Sequence, residues 1–356
     1  MSLFSFLGNK SFVGVDLGTT SLKVAEVRRD GEKLHLETYG ILETYGYLER
    51  FNEAMQSSSL KLSEERAARE LQALLARAGV KARAAIASVP AFGAFSTLIE
   101  APIMSASETK NFIELQAKQY VPLPLSAVAF EWLKVGERTD ATGVTKQELL
   151  LISIPNEQIQ KYQKLFNLAG IKLFAVEVEG MSLARSLTTG SEKTSLIIDI
   201  GSRSTSLSIA EGGYLKFSSQ TDFSGGSITQ SIASGLGISQ RRAEDLKKQR
   251  GLLGFGGTHE LSTLIEPMLD VIMSEARRTI GNFESTYQGK VANILLSGGV
   301  ANLMGIEAYI GKQMGLTVEK ANPFPQVSYD AILDPIVKDT GPLLGVAIGL
   351  AIKGFV

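Results

Sequence analysis

A chain of 356 residues with 44% hydrophobic content is long enough for roughly two domains of 100–200 residues, each with its own core. Its 36 Lys and Arg balance 37 Asp and Glu, so no charge excess steers it toward nucleic acid or an anionic membrane surface. With no cysteine and only two histidines, His35 and His259, it lacks disulfides, thiolate metal sites and thiol catalysis, and its chemistry falls to carboxylates, hydroxyls, lysines and backbone amides.

The opening run Leu3-Phe4-Ser5-Phe6-Leu7 is too short for the apolar stretch of a signal peptide and follows no positive charge, so a cytoplasmic protein is expected. An apolar strand over 12–16 ends at Leu17-Gly18-Thr19-Thr20. Alternation resumes over 22–27 before a turn at Asp30-Gly31, predicting strands joined by tight turns. Ser63, followed by Glu64, Glu65 and the helically spaced Ala67, Leu71, Leu74 and Leu75, predicts a capped amphipathic helix ending at Gly79. A strand over 83–89 closes at Pro90.

Residues 84–170 read as a small inserted α/β module. It has a helix over 107–120, the breaker Val121-Pro122-Leu123-Pro124, strands over 128–135 and 148–155 around a polar turn, and a helix over 158–169. A strand over 174–178 and a helix over 181–187 follow, with Glu179 between them.

At Ser195 the opening pattern recurs. Leu196-Ile197-Ile198-Asp199-Ile200-Gly201-Ser202-Arg203-Ser204-Thr205 repeats the layout of Phe12-Val13-Gly14-Val15-Asp16-Leu17-Gly18-Thr19-Thr20-Ser21, so the chain is an internal duplication with two similar lobes. One Asp-x-Gly-hydroxyl turn is a weak signal, since Asp and Gly are ordinary turn residues. Two copies in register are a stronger one. Glycine lets turn amides approach an oxyanion, and a strand-end Asp suits Mg²⁺, which takes one or two carboxylates and keeps its waters. Lys23, on the same face as Asp16, offers a charge to a phosphate.

Two further elements follow. Ser224-Gly225-Gly226-Ser227 precedes a helix over 240–249 on which Glu244 and Lys247 share a face; they are either a solvated ion pair or a ribose contact. Ile294-Leu295-Leu296-Ser297-Gly298-Gly299-Val300-Ala301-Asn302 runs a strand into paired glycines that permit close approach of a flat ligand, or simply turn the chain into a helix. The apolar 341–356 tail, with Lys353 its only charge, is expected to be a buried helix rather than a membrane anchor.

In this order the four elements resemble the phosphate-1, phosphate-2 and adenosine motifs of the actin, Hsp70 and sugar kinase superfamily. More closely, the short leader up to Lys10, the run Gly14 to Lys23, and Glu114-Leu115-Gln116-Ala117-Lys118-Gln119-Tyr120-Val121-Pro122-Leu123-Pro124 resemble the type IV pilus assembly PilM family and, behind it, FtsA. The resemblance implies an α/β, two-lobed actin-like ATPase fold of duplicated RNase H-like lobes with an FtsA-like inserted 1C subdomain. Its divisions would be 11–83 with 171–188 (1A), 84–170 (1C), 194–225 with 290–340 (2A), 226–289 (2B), and a C-terminal helix over 341–356 packing across the lobes.

Carried over by position, the resemblance implies that Asp16 and Asp199 orient a hydrated Mg²⁺, and that Gly18, Thr19, Thr20, Ser21, Lys23, Gly201, Ser202, Ser204 and Thr205 cradle the phosphates of ATP. Glu244 and Lys247 would contact the ribose, Gly298, Gly299 and Asn302 would form the adenosine loop, and Gly225 and Gly226 would also bind the cofactor. Glu179 falls where relatives position the attacking water, with an exposed strand-end carboxylate as the equal alternative. Ser202 and Arg203 stand where actin carries a further acidic residue, so binding with at most weak ATPase activity is expected.

The implied role is a cytoplasmic scaffold, peripheral to the inner membrane. It would dock the N-terminal cytoplasmic tail of a PilN-like single-pass protein near 91–101 and 112–120, with contacts to other pilus assembly proteins and self-association open and no nucleic acid or direct membrane insertion. The alternatives are an FtsA-like cytoskeletal protein or a small-molecule kinase of the same superfamily, for which the cleft offers no further Asp as base.

Overall fold

The computed structural model describes residues 10–43, 64–139, 143–252, 259–287 and 289–356. The 3–9 leader and the capping Ser63 lie outside the described residues. The first lobe opens with β1 (Ser11–Leu17), β2 (Ser21–Asp30) and β3 (Lys33–Glu43), then α1 (Glu64–Arg77) and β4 (Ala84–Val89). After the inserted segment the chain returns through α3 (Asn156–Leu168), β8 (Lys172–Val178) and α4 (Glu179–Thr188). The second lobe contains β9 (Ser195–Ile200), β10 (Thr205–Glu211), β11 (Tyr214–Thr221), α5 (Gly225–Leu236), α6 (Gln240–Arg250), α7 (His259–Tyr287), β12 (Asn293–Ser297), α8 (Ile306–Met314) and β13 (Thr317–Lys320). A long helix, α9 (Val337–Lys353), ends the described chain.

The two sheets have one topology. Their strand orders are β3-β2-β1-β4-β8 and β11-β10-β9-β12-β13. In each, an antiparallel three-strand meander is extended by two parallel strands, β1 pairing with β4 and β9 with β12. The near-continuous apolar runs of β1, β4 and β9 follow from burial on both faces, which parallel sheets demand. The duplication expected from the repeated motif is therefore a duplicated fold.

The inserted module is smaller than the sequence reading drew it. β5 (Phe95–Pro102), α2 (Ala106–Tyr120), β6 (Val128–Thr139) and β7 (Thr145–Pro155) form a three-stranded sheet in the order β5-β7-β6. Ile113 and Ala117 of α2 pack on Ile99, Leu149 and Leu151, and Ser105 closes a capping box with Glu108. β4, which that reading placed in the module, is instead the strand between β1 and β8 in the first-lobe sheet. Similarly, Tyr162, Leu165 and Phe166 of α3 fill the first-lobe core beside Val13, Val15 and Leu71. An apolar strand reads alike in either sheet, so pattern alone does not assign it.

The module also touches the second lobe. Lys216 Nζ on β11 donates to Val135 O at 2.8 Å and to Glu148 at 2.7 Å, and Ser96 Oγ lies 3.0 Å from Ser218 Oγ.

α9 fills the seam between the lobes, as the apolar tail predicts. Leu344, Ile348, Leu350 and Ile352 are buried, each burial stabilising by about 1.5–3 kcal/mol. Small residues set the spacing: a Cβ at Gly14 of β1 would lie 1.9 Å from Ala347 O, and one at Gly349 would lie 2.0 Å from Ser182 O of α4. Beside this contact, the buried Glu177 takes both Arg185 guanidinium nitrogens at 2.7 Å and Lys353 at 3.1 Å. Among the described residues no helix is long and apolar enough to cross a membrane.

Candidate functional site: a cleft between two glycine turns

The turns after β1 and β9 face each other across a cavity of about 410 Å³. Each is built in the same way, with Asp as the penultimate strand residue, a glycine just past the strand, and hydroxyl residues leading into the next strand. A Cβ at Gly18 would meet Ser21 O at 2.8 Å. The second turn closes with Gly201 N donating to Ser204 O at 3.0 Å. Gly298 has φ +84° and sits against Asp199 and Ile200, where a side chain would collide at 2.5–2.7 Å, whereas Gly299 faces open space.

Every site residue proposed from the sequence lines this cavity except Thr205 and Gly226. Thr205 is fully buried, its hydroxyl donating to Phe223 O at 2.7 Å. Strand alternation turns it away from the cavity and brings Ser206 in. Gly226 spends its N–H on Ser202 O at 3.0 Å, and Gly225 likewise donates to Gly201 O at 2.9 Å, so the start of α5 braces the second turn.

Asp16 and Lys23 are cross-strand partners, with Lys23 Nζ 2.9 Å from Oδ2, while Ser88 of β4 donates to Oδ1 at 3.0 Å. Burial alone would lower the Lys23 pKa; Asp16, with Asp199 and Glu179 behind it, raises it instead. Asp199 is pushed up to about 6, first by burial and then by the Asp16 charge, against the pull of Lys23 and a Ser297 hydrogen bond. Glu179, the first residue of α4, is half-buried rather than exposed. Burial, Asp16 and Asp199 together hold its pKa well above the ordinary carboxylate value. Three carboxylates thus converge on one lysine, an arrangement short of positive charge. Among the described residues no cluster of three His, Cys, Asp or Glu side chains forms a ready metal cage.

The Glu244–Lys247 pair is not a solvated surface pair. Lys247 is 6% exposed, contacts Glu244, and donates to Gly225 O at 3.0 Å and Thr229 Oγ1 at 2.8 Å. Burial would raise the Glu244 pKa, but Lys247 and the Thr229 hydroxyl hold it below the ordinary range. Asn302 donates to Asp339 O at 2.7 Å and accepts from Lys320 at 3.0 Å, and Gly298 N donates to Pro342 O at 2.9 Å, fastening this loop to α9.

Sequence reasoning missed Ser88, Pro90, Ser206 and Lys248 and gave Ala91 and Phe92 to the partner groove, whereas all of them stand at the cavity or its wall. A lone hydroxyl inside the apolar run of β4 was the available signal for Ser88. Ser206 occupies, opposite Asp199, the place that Lys23 takes opposite Asp16, so aligning the two repeats would have found it.

Two lobes of one topology, closed on a cavity between paired glycine turns, define the actin-like ATPase fold. Solved structures agree: ethanolamine utilization protein EutJ from Carboxydothermus hydrogenoformans is similar at a TM-score of 0.57 and 16% identity, over 97% of this chain and 90% of that one. MreB5 of Spiroplasma citri, solved bound to ADP, is similar at 0.52 and 14%, over 96% and 95%. A chain of a PilM-PilN type IV pilus biogenesis complex matches at a TM-score of 0.79 and 21% identity, over 96% of this chain and 98% of that one. The family of the type IV pilus assembly protein PilM matches residues 14–355, and the chain belongs to that family.

Proposed function

We propose that this protein is an ATP-binding, actin-like scaffold of type IV pilus assembly that works in the cytoplasm at the inner membrane and docks the cytoplasmic tail of a PilN-like membrane protein. The observation that carries the nucleotide half is the pair of glycine turns facing each other across one cavity. The donor set fits a polyanion: turn amides, the hydroxyls of Thr19, Thr20, Ser21, Ser202 and Ser204, and Lys23. Ser206 Oγ is buried without a hydrogen-bond partner, and a phosphate or a cation-bound water would satisfy it.

In this reading Asp16 and Asp199 hold the water shell of Mg²⁺, Glu244 and Lys247 border the ribose, and Gly298, Gly299 and Asn302 border the base. Bound Mg²⁺ would neutralise phosphate charge and lower the electrostatic cost of the converging carboxylates. Glu179, held protonated more readily than an ordinary carboxylate, is suited to accept a proton from water only when such a charge is present. Binding with weak turnover follows.

Family membership and the PilM-PilN complex structure support the docking half. β5 ends the three-stranded sheet and offers backbone for strand addition, while Leu115 on α2 is 67% exposed. Phe112, by contrast, packs on the module core. Calorimetric titration of the tail peptide, with and without Mg-ATP and with Asp16→Ala as nucleotide-site control, tests both halves. Micromolar binding, about −8 kcal/mol, supports the scaffold; ATP binding without any tail binding removes the docking claim.

A further inference from the structure

Among the described residues four cations line the cavity: Lys23, Arg203, Lys247 and Lys248. Three are already committed, Lys23 to Asp16, Lys247 to Glu244, and Lys248 to Glu43 at 3.3 Å. Among the described residues no carboxylate lies within ion-pair reach of Arg203. Its guanidinium instead lies over the ring of Phe92, 4.3 Å from the centroid. A guanidinium held by one face keeps its planar N–H edge free for two parallel bonds to an oxyanion. At each of the three lysines an arriving anion would share an ammonium whose charge already faces a carboxylate. At Arg203 it would displace nothing.

Arg203 also has a defined neighbourhood. It sits in the 201–204 turn, whose closing bond fixes the backbone. Phe92 belongs to the short 3₁₀ turn Ala91–Gly93 that joins β4 to β5, so the ring comes from the root of the inserted module. Pro90, Ala91 and Glu179 line the cavity with it. The other polar groups form a second set, with Lys247, Glu244 and Thr229 bound to one another and Asn302 bound to the α9 backbone. Glu179 takes a backbone hydrogen bond from Ala91, so it stands beside the turn that carries Phe92 and, through that ring, beside Arg203.

We propose that Arg203 is the cation that reads the terminal phosphate of a nucleoside triphosphate in this cleft, and that Phe92 is a positioning residue through which the inserted module sets its placement. This rests on the nucleotide reading above. A diphosphate does not present the group that Arg203 meets, so the residue separates ATP from ADP rather than adding affinity to both. Any partner that moves the root of the module moves Phe92, and with it the discrimination.

The test is competitive displacement of a fluorescent ADP analogue by Mg-ATP and by Mg-ADP, using the full chain as wild type, Arg203→Gln and Phe92→Leu. Arg203→Gln is expected to weaken ATP by about ten- to a hundredfold while ADP stays within about threefold. Phe92→Leu, which keeps an apolar side chain but removes the ring, is expected to weaken ATP by about three- to tenfold with ADP unchanged. Equal changes for both nucleotides in Arg203→Gln, or no change, overturn the assignment. A wild-type ATP-to-ADP ratio in Phe92→Leu overturns the positioning role. Wild-type protein that displaces the analogue with neither nucleotide overturns the nucleotide reading and this proposal together, an outcome distinct from the other two.

Discussion

Asp199→Asn is expected to make the nucleotide-free protein more stable at neutral pH. Burial and the nearby Asp16 charge raise this carboxyl from the ordinary 3.8 to about 6, a difference of roughly 3 kcal/mol against the charged form. Asp199 borders the open cavity, so solvent screening reduces the net penalty to about 1–3 kcal/mol. Asparagine keeps the shape and an oxygen for the Ser297 hydroxyl but carries no charge. The penalty is full above about pH 6, shrinks as the pH falls toward 3.8, and is absent below it, where folded and unfolded chains both hold the proton. Urea unfolding of wild type and variant in chelator therefore shows the variant ahead at about pH 7.5, with the gap reduced by roughly half at about pH 5. A variant less stable than wild type at neutral pH, or a gap indifferent to pH, refutes the reasoning. The same substitution is expected to weaken Mg-nucleotide binding in a displacement assay, since the strained carboxylate is the one proposed to meet the cation's water shell.

Three other outcomes are expected. Gly349→Ala places a Cβ 2.0 Å from Ser182 O and should cost about 3 kcal/mol, read as a lowered urea midpoint. Lys216→Met leaves Glu148 buried without its cation and should cost about 3–5 kcal/mol, with faster proteolysis of the inserted module than of the lobes. Leu115→Glu should abolish tail-peptide binding with an unchanged unfolding midpoint, whereas Phe112→Glu should lower the midpoint, because Phe112 packs against the module core; the two are separated by calorimetry and denaturation on the same preparations.

The phosphate turns are legible because their chemistry is local: strand, Asp, glycine and hydroxyls lie within ten residues and occur twice. Lys23 is legible for the same reason, as a hairpin places it opposite Asp16. Thr205 is misread because proximity to a motif overrides alternation; its side chain points to the other face from Ser206. The contacts that shape the cavity from a distance leave no such trace. Ser88 reaches Asp16 across 72 positions, and Phe92 meets Arg203 only because the inserted module's root turns back over the cleft. The 29-residue α7 has no counterpart in the sequence reading, since Pro267 interrupts the pattern near its start. The assignment of β4 and α3 to the first lobe depends on strand order, which composition does not encode.

The seating of α9 bears on how the chain reaches its folded state. Gly14 and Ala347 touch backbone to side-chain position although more than three hundred residues separate them. β1 is synthesised more than three hundred residues before α9, so this face stays uncovered until α9 is made. Loop-closure entropy grows only slowly with such a separation, but contacts of this range delay the folding rate. Until α9 arrives, the apolar seam beneath both sheets is open, so refolding from denaturant should be slow, and the nascent lobes should be the species most in need of a chaperone.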